Sequence, residues 1–357
     1  MQKLEKISEN NLISYLTKNF RRSPEQINAL QESDAELIRI PGTDSVLAVT
    51  TDSIAEEIQS GLYDNLYLAG KMAVLANLSD LSAVGAKPLG LMLNETFNPG
   101  TCNGNIDLLQ KGISDACLEA NTFILGGDTN FSDKTQIGVT AIGIISDKKI
   151  ITRKGCGPGD NLYSSGKLGS GNAFAFSKLL SDKQNSGFPF NPKCRIEEGQ
   201  LIRKYASCCM DTSDGVIATL DQLMRINNLG FEVVSEMNDY LNSDVLELCK
   251  KNSLPAWLTL AGIHGEFELL FTIPEENTDL FISVANLINW EPVYLGKVTG
   301  EPSVILNINI VMTPLNTEKI RNLFSYVNFD IHEYLKELLI MDKTIEEHKE
   351  YENETCR

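Results

Sequence analysis

Leu12, Ile13, Leu16 and Phe20 recur at helical spacing, so the first thirty residues predict an amphipathic helix. Runs rich in apolar residues at 45–51, 89–97, 121–125 and 136–145 predict strands, and the stretches 66–84 and 106–120 carry a helical period. Strands and helices mixed within about 150 residues predict one α/β or α+β domain. The pattern breaks at 154–160, Lys-Gly-Cys-Gly-Pro-Gly-Asp, a run dense in turn residues. It then restarts with a strand at 161–164, a helix from 172 to 180 and a polar Asn/Pro/Lys loop. A short strand at 208–210, a helix at 216–226 and a strand at 231–234 follow. A strand at 268–272, a helix at 278–287 and a last strand at 293–298 complete the second unit. The division is therefore 1–150, 151–312 and a 313–357 extension whose final stretch, 331–357, is helical in pattern and ends in an acidic tail.

A length of 357 residues suits roughly two domains. Hydrophobic residues at 42% and charged residues at 22% exclude wholesale disorder. No apolar run of membrane-spanning length occurs, and charges sit where a signal peptide needs its apolar centre. Eight cysteines without a C-x-x-C pair, two of them adjacent at Cys208 and Cys209, point to a reducing compartment and a cytoplasmic protein. All eight read as structural. The formal net charge of −17 excludes a phosphate-neutralising nucleic-acid surface, since nothing is more basic than Arg21-Arg22. An acidic protein binds phosphate ligands when divalent cations stand between its carboxylates and the phosphates.

Several aspartates occupy junctions between elements. Asp52 ends a predicted strand, and Asp80 lies one helical turn beyond Asn77. Asp128 follows a glycine pair after another predicted strand, while Asp211 and Asp214 bracket a strand-to-helix turn. Taken singly, each reads as a cap or an Asx turn. Taken together, carboxylates at the ends of several elements are what Mg²⁺ needs, because it takes a few carboxylates plus waters and phosphate oxygens.

The words around these residues are specific: TTDS at 50–53, NLSDLSAVGAKP at 77–88, GGDT at 126–129, RKGCGPGD at 153–160 and MDTSDG at 210–215. The chain resembles the ATP-binding superfamily of aminoimidazole ribonucleotide synthetase, selenophosphate synthetase and the hydrogenase-maturation carbamoyl dehydratase. Within it, the chain is similar to the thiamine-monophosphate kinases over residues from about 8 to about 330. The resemblance implies a two-domain α/β (α+β) fold whose N-terminal sheet pairs across a homodimer, with ATP, Mg²⁺ and a small-molecule acceptor as partners. Carried over by motif, Asp34, Asp52, Asp80, Asp128 and Asp214 would hold metal. Asp214 and Asp211 would serve catalysis, and Asp34, Asn77, Gly127, Asp128, Thr129 and Arg153 would hold the nucleotide. Asp34 enters because the family's Gly-Asp-Asp-Ala matches Glu32-Ser33-Asp34-Ala35, 18 residues before Asp52.

The chain also departs from the family. Ser33 replaces the first Asp of that motif, SIAEEIQS replaces a Val-x-Phe segment carrying His, and Gly-Gly-Glu-Asp-Tyr-Glu-Leu becomes the 262–269 segment GIHGEFEL. His264 and Glu266 of this segment are candidate acceptor-binding residues. Lys167, in the Gly-rich run 166–171, is a candidate phosphate contact, although the run is not a Walker A sequence. Three functions remain open: an ATP-dependent small-molecule kinase, a synthetase or dehydratase that activates an amide or acyl oxygen by phosphorylation, and a non-catalytic nucleotide-binding paralogue. Because the departures fall on the acceptor side, thiamine monophosphate is expected to be a poor substrate.

Overall fold

The computed structural model describes residues 4–146, 149–180, 187–262, 264–328 and 330–355. The strands are β1 (Glu36–Arg39), β2 (Val46–Ser53), β3 (Lys87–Phe97), β4 (Ile124–Phe131), β5 (Gln136–Ile145), β6 (Asn161–Ser164), β7 (Cys208–Asp211), β8 (Gly230–Val233), β9 (Leu269–Ile273), β10 (Val293–Thr299), β11 (Val304–Ile308) and β12 (Val311–Pro314). The helices are α1 (Ser8–Thr17), α2 (Ala55–Ser60), α3 (Leu66–Ala83), α4 (Asn103–Glu119), α5 (Ser170–Leu180), α6 (Ile196–Tyr205), α7 (Val216–Asn227), α8 (Met237–Tyr240), α9 (Ser243–Asn252), α10 (Leu258–Ala261), α11 (Thr278–Leu287), α12 (Thr317–Tyr326) and α13 (Ile331–Thr355). None of these helices is long and apolar enough to cross a membrane.

The first five strands form one sheet in the order β1-β2-β5-β3-β4, antiparallel except for the β3–β4 pair. Strand β5 alternates buried and partly exposed positions, so one face is packed and the other is open. Helices α3 and α4 cover the packed face. They approach backbone to backbone at two glycines, since a Cβ on Gly70 would stand 2.1 Å from the Leu109 carbonyl and one on Gly112 2.1 Å from that of Tyr67. Helix α3 is buried on nearly every side. Such a helix belongs between layers, and α3 indeed packs against β2 and β5 of this sheet and against β7 and α6 of the second.

The second sheet runs β12-β11-β8-β10-β6-β9-β7, with β8–β11 its only parallel pair among the described residues. Strands β6, β7 and β9 are buried on both faces; β9 is nearly all apolar, while β6 and β7 also bury the polar Asn161, Ser164 and Asp211. Helices α7 and α12 fill one side with Leu220, Leu223, Ile320 and Leu323, and α6 and α11 fill the other with Ile202, Phe281 and Ala285.

The predicted elements differ from the structure in several ways: β1, α2, α9 and α12 have no predicted counterpart, and the first helix ends at Thr17, short of Phe20, with Leu12 and Leu16 exposed. Three further differences have a physical reason. The polar stretch before residue 206 holds helix α6, whose short apolar stripe of Leu201 and Ile202 faces the core. The strand at 293–298 is not the last: a hairpin, β11–β12, follows it. Its two-residue turn is Asn309-Ile310, both at positive φ, instead of the Asn-Gly that marks such turns in sequence. Third, 126–129 lies within β4 rather than after it. Ile263 and residues 356–357 lie outside the described residues.

Candidate active site

The end of β2 is clamped to the middle of α3. Asn77, buried, accepts from the Asp52 amide at 3.0 Å and donates to the Ala73 carbonyl at 3.0 Å. One turn on, the Asp80 carboxylate accepts from the Thr50 hydroxyl at 2.5 Å. On the neighbouring flank, Ser79 reaches the second sheet and donates to Asp211 Oδ2 at 2.6 Å, while Ser213 donates to Asp211 Oδ1 at 3.0 Å. Helix α3 therefore brings the last residues of β2 and β7 together, one from each sheet.

Asp34 completes the group. One carboxylate oxygen each from Asp34, Asp80 and Asp211 lies within 4.8 Å of the others. The Asp34 side chain is inaccessible to solvent, and its Oδ2 has no hydrogen-bond partner. Its Oδ1 accepts from Arg153 at 3.0 Å. Arg153 is anchored by its amide to the Glu32 carbonyl and by its own carbonyl to Asn227. Within the protein, this guanidinium supplies a countercharge to the cluster.

The electrostatics follow from crowding. Burial pushes the Asp80 carboxyl well above its ordinary range, and the charges of Asp211, Asp52 and Asp34 push it further. Asp211 is raised to about 7 by burial first and by Asp34 next, against the hydrogen bond from Ser79. Asp52, which remains exposed to solvent, is raised by the protein packed around it and then by Asp214 and Asp34. Asp214 also acts on Glu9 of α1, which pairs with Arg321 at 3.0 Å and is raised chiefly by that aspartate. A hard cation with oxygen ligands suits this donor set, with its orphaned buried carboxylate oxygen and its mutual repulsion.

The sequence-derived candidates thus separate into two groups. Asp34, Asn77, Asp80, Asp211 and Arg153 come together, with Asp52 and Asp214 within electrostatic reach. Gly127, Asp128 and Thr129 do not join them within one chain. Asp52 stands in register with Val139 and Leu93, on the helix-covered face. Asp128 stands in register with Asn94, Gly138 and Ser53, on the open face, where it accepts from Asn130 at 2.7 Å. Strand residues alternate faces, and three strand spacings separate the two carboxylates, about 14 Å. Lys167 is also elsewhere. It donates to the Asp239 carbonyl and lines a cavity of about 670 Å³ with Lys193 and Arg195.

Next to the aspartates lies the 262–268 segment. The Gly265 amide donates to the Ser213 carbonyl at 2.8 Å, and a Cβ there would stand 1.3 Å from the Thr212 carbonyl. No side chain fits at 265. His264 is buried inside a shell of Tyr63, Phe174, Phe190 and Phe267, and its Nε2 meets the Tyr63 hydroxyl at 2.7 Å. Burial lowers its pKa to about 4, so the ring is neutral. Glu266 accepts from the amides of Gly169 at 3.0 Å and Gly171 at 3.4 Å, and burial, then Glu268, raises it to about 8. His264 Nδ1 and Glu266 Oε1 have no partner. Glu268, by contrast, is held in bidentate fashion by one edge of the Arg195 guanidinium, Nε at 2.8 Å and Nη2 at 2.7 Å.

Three residues at this place escaped the sequence reading. Glu9 lay on the polar side of the first helix, and Glu57 and Tyr63 fell in or after the altered 53–60 segment. The Glu57 carboxyl, raised by burial and by the charges of Glu56, Asp52 and Asp214, has an unpartnered Oε2. The only signal in sequence was the drift of the SIAEEIQS segment itself.

Comparison with known proteins fits this geometry. The family described as AIR synthase related protein, N-terminal domain, matches residues 32–145. A thiamine-monophosphate kinase of Pyrococcus horikoshii is 31% identical over 251 residues, covering 68% of this chain and 77% of the relative. Another, from Buchnera aphidicola of Acyrthosiphon pisum, is 28% identical over 284 residues, covering 77% and 85%. Among solved structures, AaThiL complexed with AMPPCP and TMP superposes with a TM-score of 0.71 at 22% identity, over 88% of this chain and 98% of that one.

Proposed function

The chain belongs to the thiamine-monophosphate kinase family, and from that premise we propose that it transfers the γ-phosphoryl group of ATP to a small phosphorylated acceptor at the Asp34–Asp80–Asp211 cluster. The fold and the ATP-dependent phosphotransferase class are those of the family. The observation that carries the reading for this chain is the convergence of three carboxylates, one of them with an orphaned buried oxygen, beside a buried arginine. Asp34, Asp80 and Asp211, with Asp52 and Asp214 at the rim, are the residues that would hold Mg²⁺. When bound, the cation neutralises charge on the phosphates being transferred. Arg153 orients toward nucleotide phosphate once its partner Asp34 is engaged, and Asn77 keeps Asp52 and Asp80 in fixed relation. The acceptor needs no general base, because a phosphate oxygen is already ionised, and transfer then rests on positioning and charge. The neutral His264 therefore has no proton to remove.

The acceptor lies against the 262–268 segment, with His264 and Glu266 as its contacts. Two uncharged groups now stand in a segment where the family carries an acidic pair, and a cationic ring such as that of thiamine monophosphate loses attraction there. Slow turnover of thiamine monophosphate with Mg-ATP is the expected result, read as ADP and diphosphate product by steady-state assay. Turnover near 1 s⁻¹, roughly the low end for ordinary enzymes, at a micromolar Michaelis constant would overturn the acceptor reading. Release of ADP with inorganic phosphate and a condensed product would instead mark a synthetase.

The assembly we propose is a homodimer through the open face and edge of the first sheet. Met92, Phe123, Leu125 and Phe131 are exposed there, an apolar surface that marks an interaction site. Such an interface would be isologous and would bury Gly127, Asp128 and Thr129 near a second copy. Sedimentation of the metal-free protein at micromolar concentration is expected to show twice the chain mass. A monomer would remove the proposal. Two units divided near residue 150, a 313–357 extension and a cytoplasmic setting complete the reading, the last supported by seven free thiols among the described cysteines.

A further inference from the structure

Helix α10 is a single turn, and the 262–268 segment leaves directly from its end. A one-turn helix cannot hold itself, since nearly all its amides and carbonyls lack partners within it. Among the described residues its end has no capping bond of its own, and Gly262 continues in extended conformation. The carbonyl of Ala261, the last helical residue, is instead taken by the Tyr334 hydroxyl of α13 at 2.5 Å, a buried bond. At the start of the same turn the buried indole of Trp257 donates to Asp342 of α13 at 2.6 Å. Leu338, between the two along α13, is inaccessible to solvent, and Tyr334 packs edge-on against Phe324 of α12. Helix α13 thus grips α10 at both ends.

The grip extends to the site. Asn172 donates to the Thr259 carbonyl within α10 at 2.9 Å and accepts from the His264 amide at 3.1 Å. A Cβ on Gly262 would stand 1.7 Å from the Asn172 amide oxygen, so this contact leaves no slack. The path from α13 to His264 therefore runs through one helical turn and one amide side chain, all buried. By contrast, among the described residues no hydrogen bond links Tyr334 or Asp342 to the aspartate cluster.

We infer that Tyr334 and Asp342 of the C-terminal helix are positioning residues for the acceptor, fixing the 262–268 segment through α10 without serving the nucleotide. This rests on the acceptor reading of His264 and Glu266 given above. The chemistry is a hydroxyl that satisfies an otherwise orphaned helix-end carbonyl and a carboxylate that satisfies an indole N–H. Losing either leaves a buried group unpaired, which the segment relieves by opening.

The test uses the full-length protein with thiamine monophosphate and Mg-ATP, and reads hydrogen exchange alongside kinetics. Tyr334→Phe removes one oxygen and keeps the packing. Its expected effect is exchange faster by about tenfold at the amides of 264–268, with the 77–83 amides of α3 unchanged. The Michaelis constant for thiamine monophosphate should rise by about tenfold while that for ATP stays within about twofold. Asp342→Leu should do the same, and Asp342→Asn, which keeps an acceptor oxygen for Trp257, should restore parental values. Unchanged exchange over 264–268 in Tyr334→Phe overturns the inference, as does an equal rise in both Michaelis constants. If exchange quickens but the acceptor constant is unmoved both in Tyr334→Phe and in His264→Ala, the acceptor reading itself has failed.

Discussion

Asp211→Asn is expected to abolish most phosphoryl transfer while making the metal-free protein more stable. The loss of activity, about a hundredfold or more, comes from removing a charge from the group that positions the cation and the phosphates. The gain in stability comes from the same charge. Asp211 in the folded, metal-free protein titrates at about 7, raised by burial and by Asp34, against 3.8 when exposed. A carboxyl with a raised folded pKa supports the fold fully below the lower value and loses that support as pH rises to the higher one. The parent therefore weakens between about pH 4 and pH 7, and the asparagine variant does not share that loss: it keeps one oxygen to accept from Ser79 or Ser213 and turns its amide N–H toward the other hydroxyl, which can accept. At pH 7 the difference is on the order of 2–4 kcal/mol at 1.36 kcal/mol per pKa unit. Thermal melts in chelator across this range check it. A variant less stable than its parent at pH 7 would show that the carboxylate is structural.

Glu266→Gln produces the second large effect, at higher pH. Burial and the neighbouring Glu268 raise Glu266 to about 8 from 4.5, so it enters the fold with a proton at neutral pH. Its support is full below about 4.5 and is lost as pH rises through 8. Glutamine is already neutral and keeps an oxygen for the Gly169 and Gly171 amides. The variant should match its parent within about 1 kcal/mol near pH 4.5 and exceed it by on the order of 3–5 kcal/mol above pH 8. His264, lowered to about 4 from 6.5 by burial, weakens the fold as pH falls through that window, but equally in both proteins. Denaturant titrations at pH 4.5, 6.5 and 8.5 decide the point. A difference that does not grow with pH would mean that Glu266 is ionised in the fold.

What the sequence made legible was the set of short words at element junctions. Asp52, Asn77, Asp80 and Asp211 each sit where a strand or helix has a readable period, and the period places them at ends that α3 can gather. Asp128 does not join the cluster within one chain, for a reason of parity. The start of β4 and the irregular register between Leu91 and Met92 decide which face the carboxylate takes, and a one-residue uncertainty reverses that face. The burial of His264 was not legible, because the shell around it comes from Tyr63, Phe174 and Phe190, all distant in sequence. Arg153 was seen as a phosphate contact, but its role as countercharge to Asp34 depends on a pairing across 119 residues. Helix α6 and the Asn309-Ile310 hairpin carried weak local signals, so packing alone reveals them.

Gly265 limits which substitutions its segment tolerates. Counting back from Glu268, it stands where the family's Gly-Gly-Glu-Asp-Tyr-Glu-Leu places glutamate, yet here the neighbouring backbone has closed over the position, with the Thr212 carbonyl 1.3 Å and the Gly215 amide 3.0 Å from where a Cβ would be. Adding a side chain at 265 therefore pushes into the loop that carries Asp211 and Asp214. A glutamate at this position needs a compensating change in that loop, so a substitution at 265 alone is a dead end. Variation in this segment is left to 264, 266 and 267, where side chains already have room.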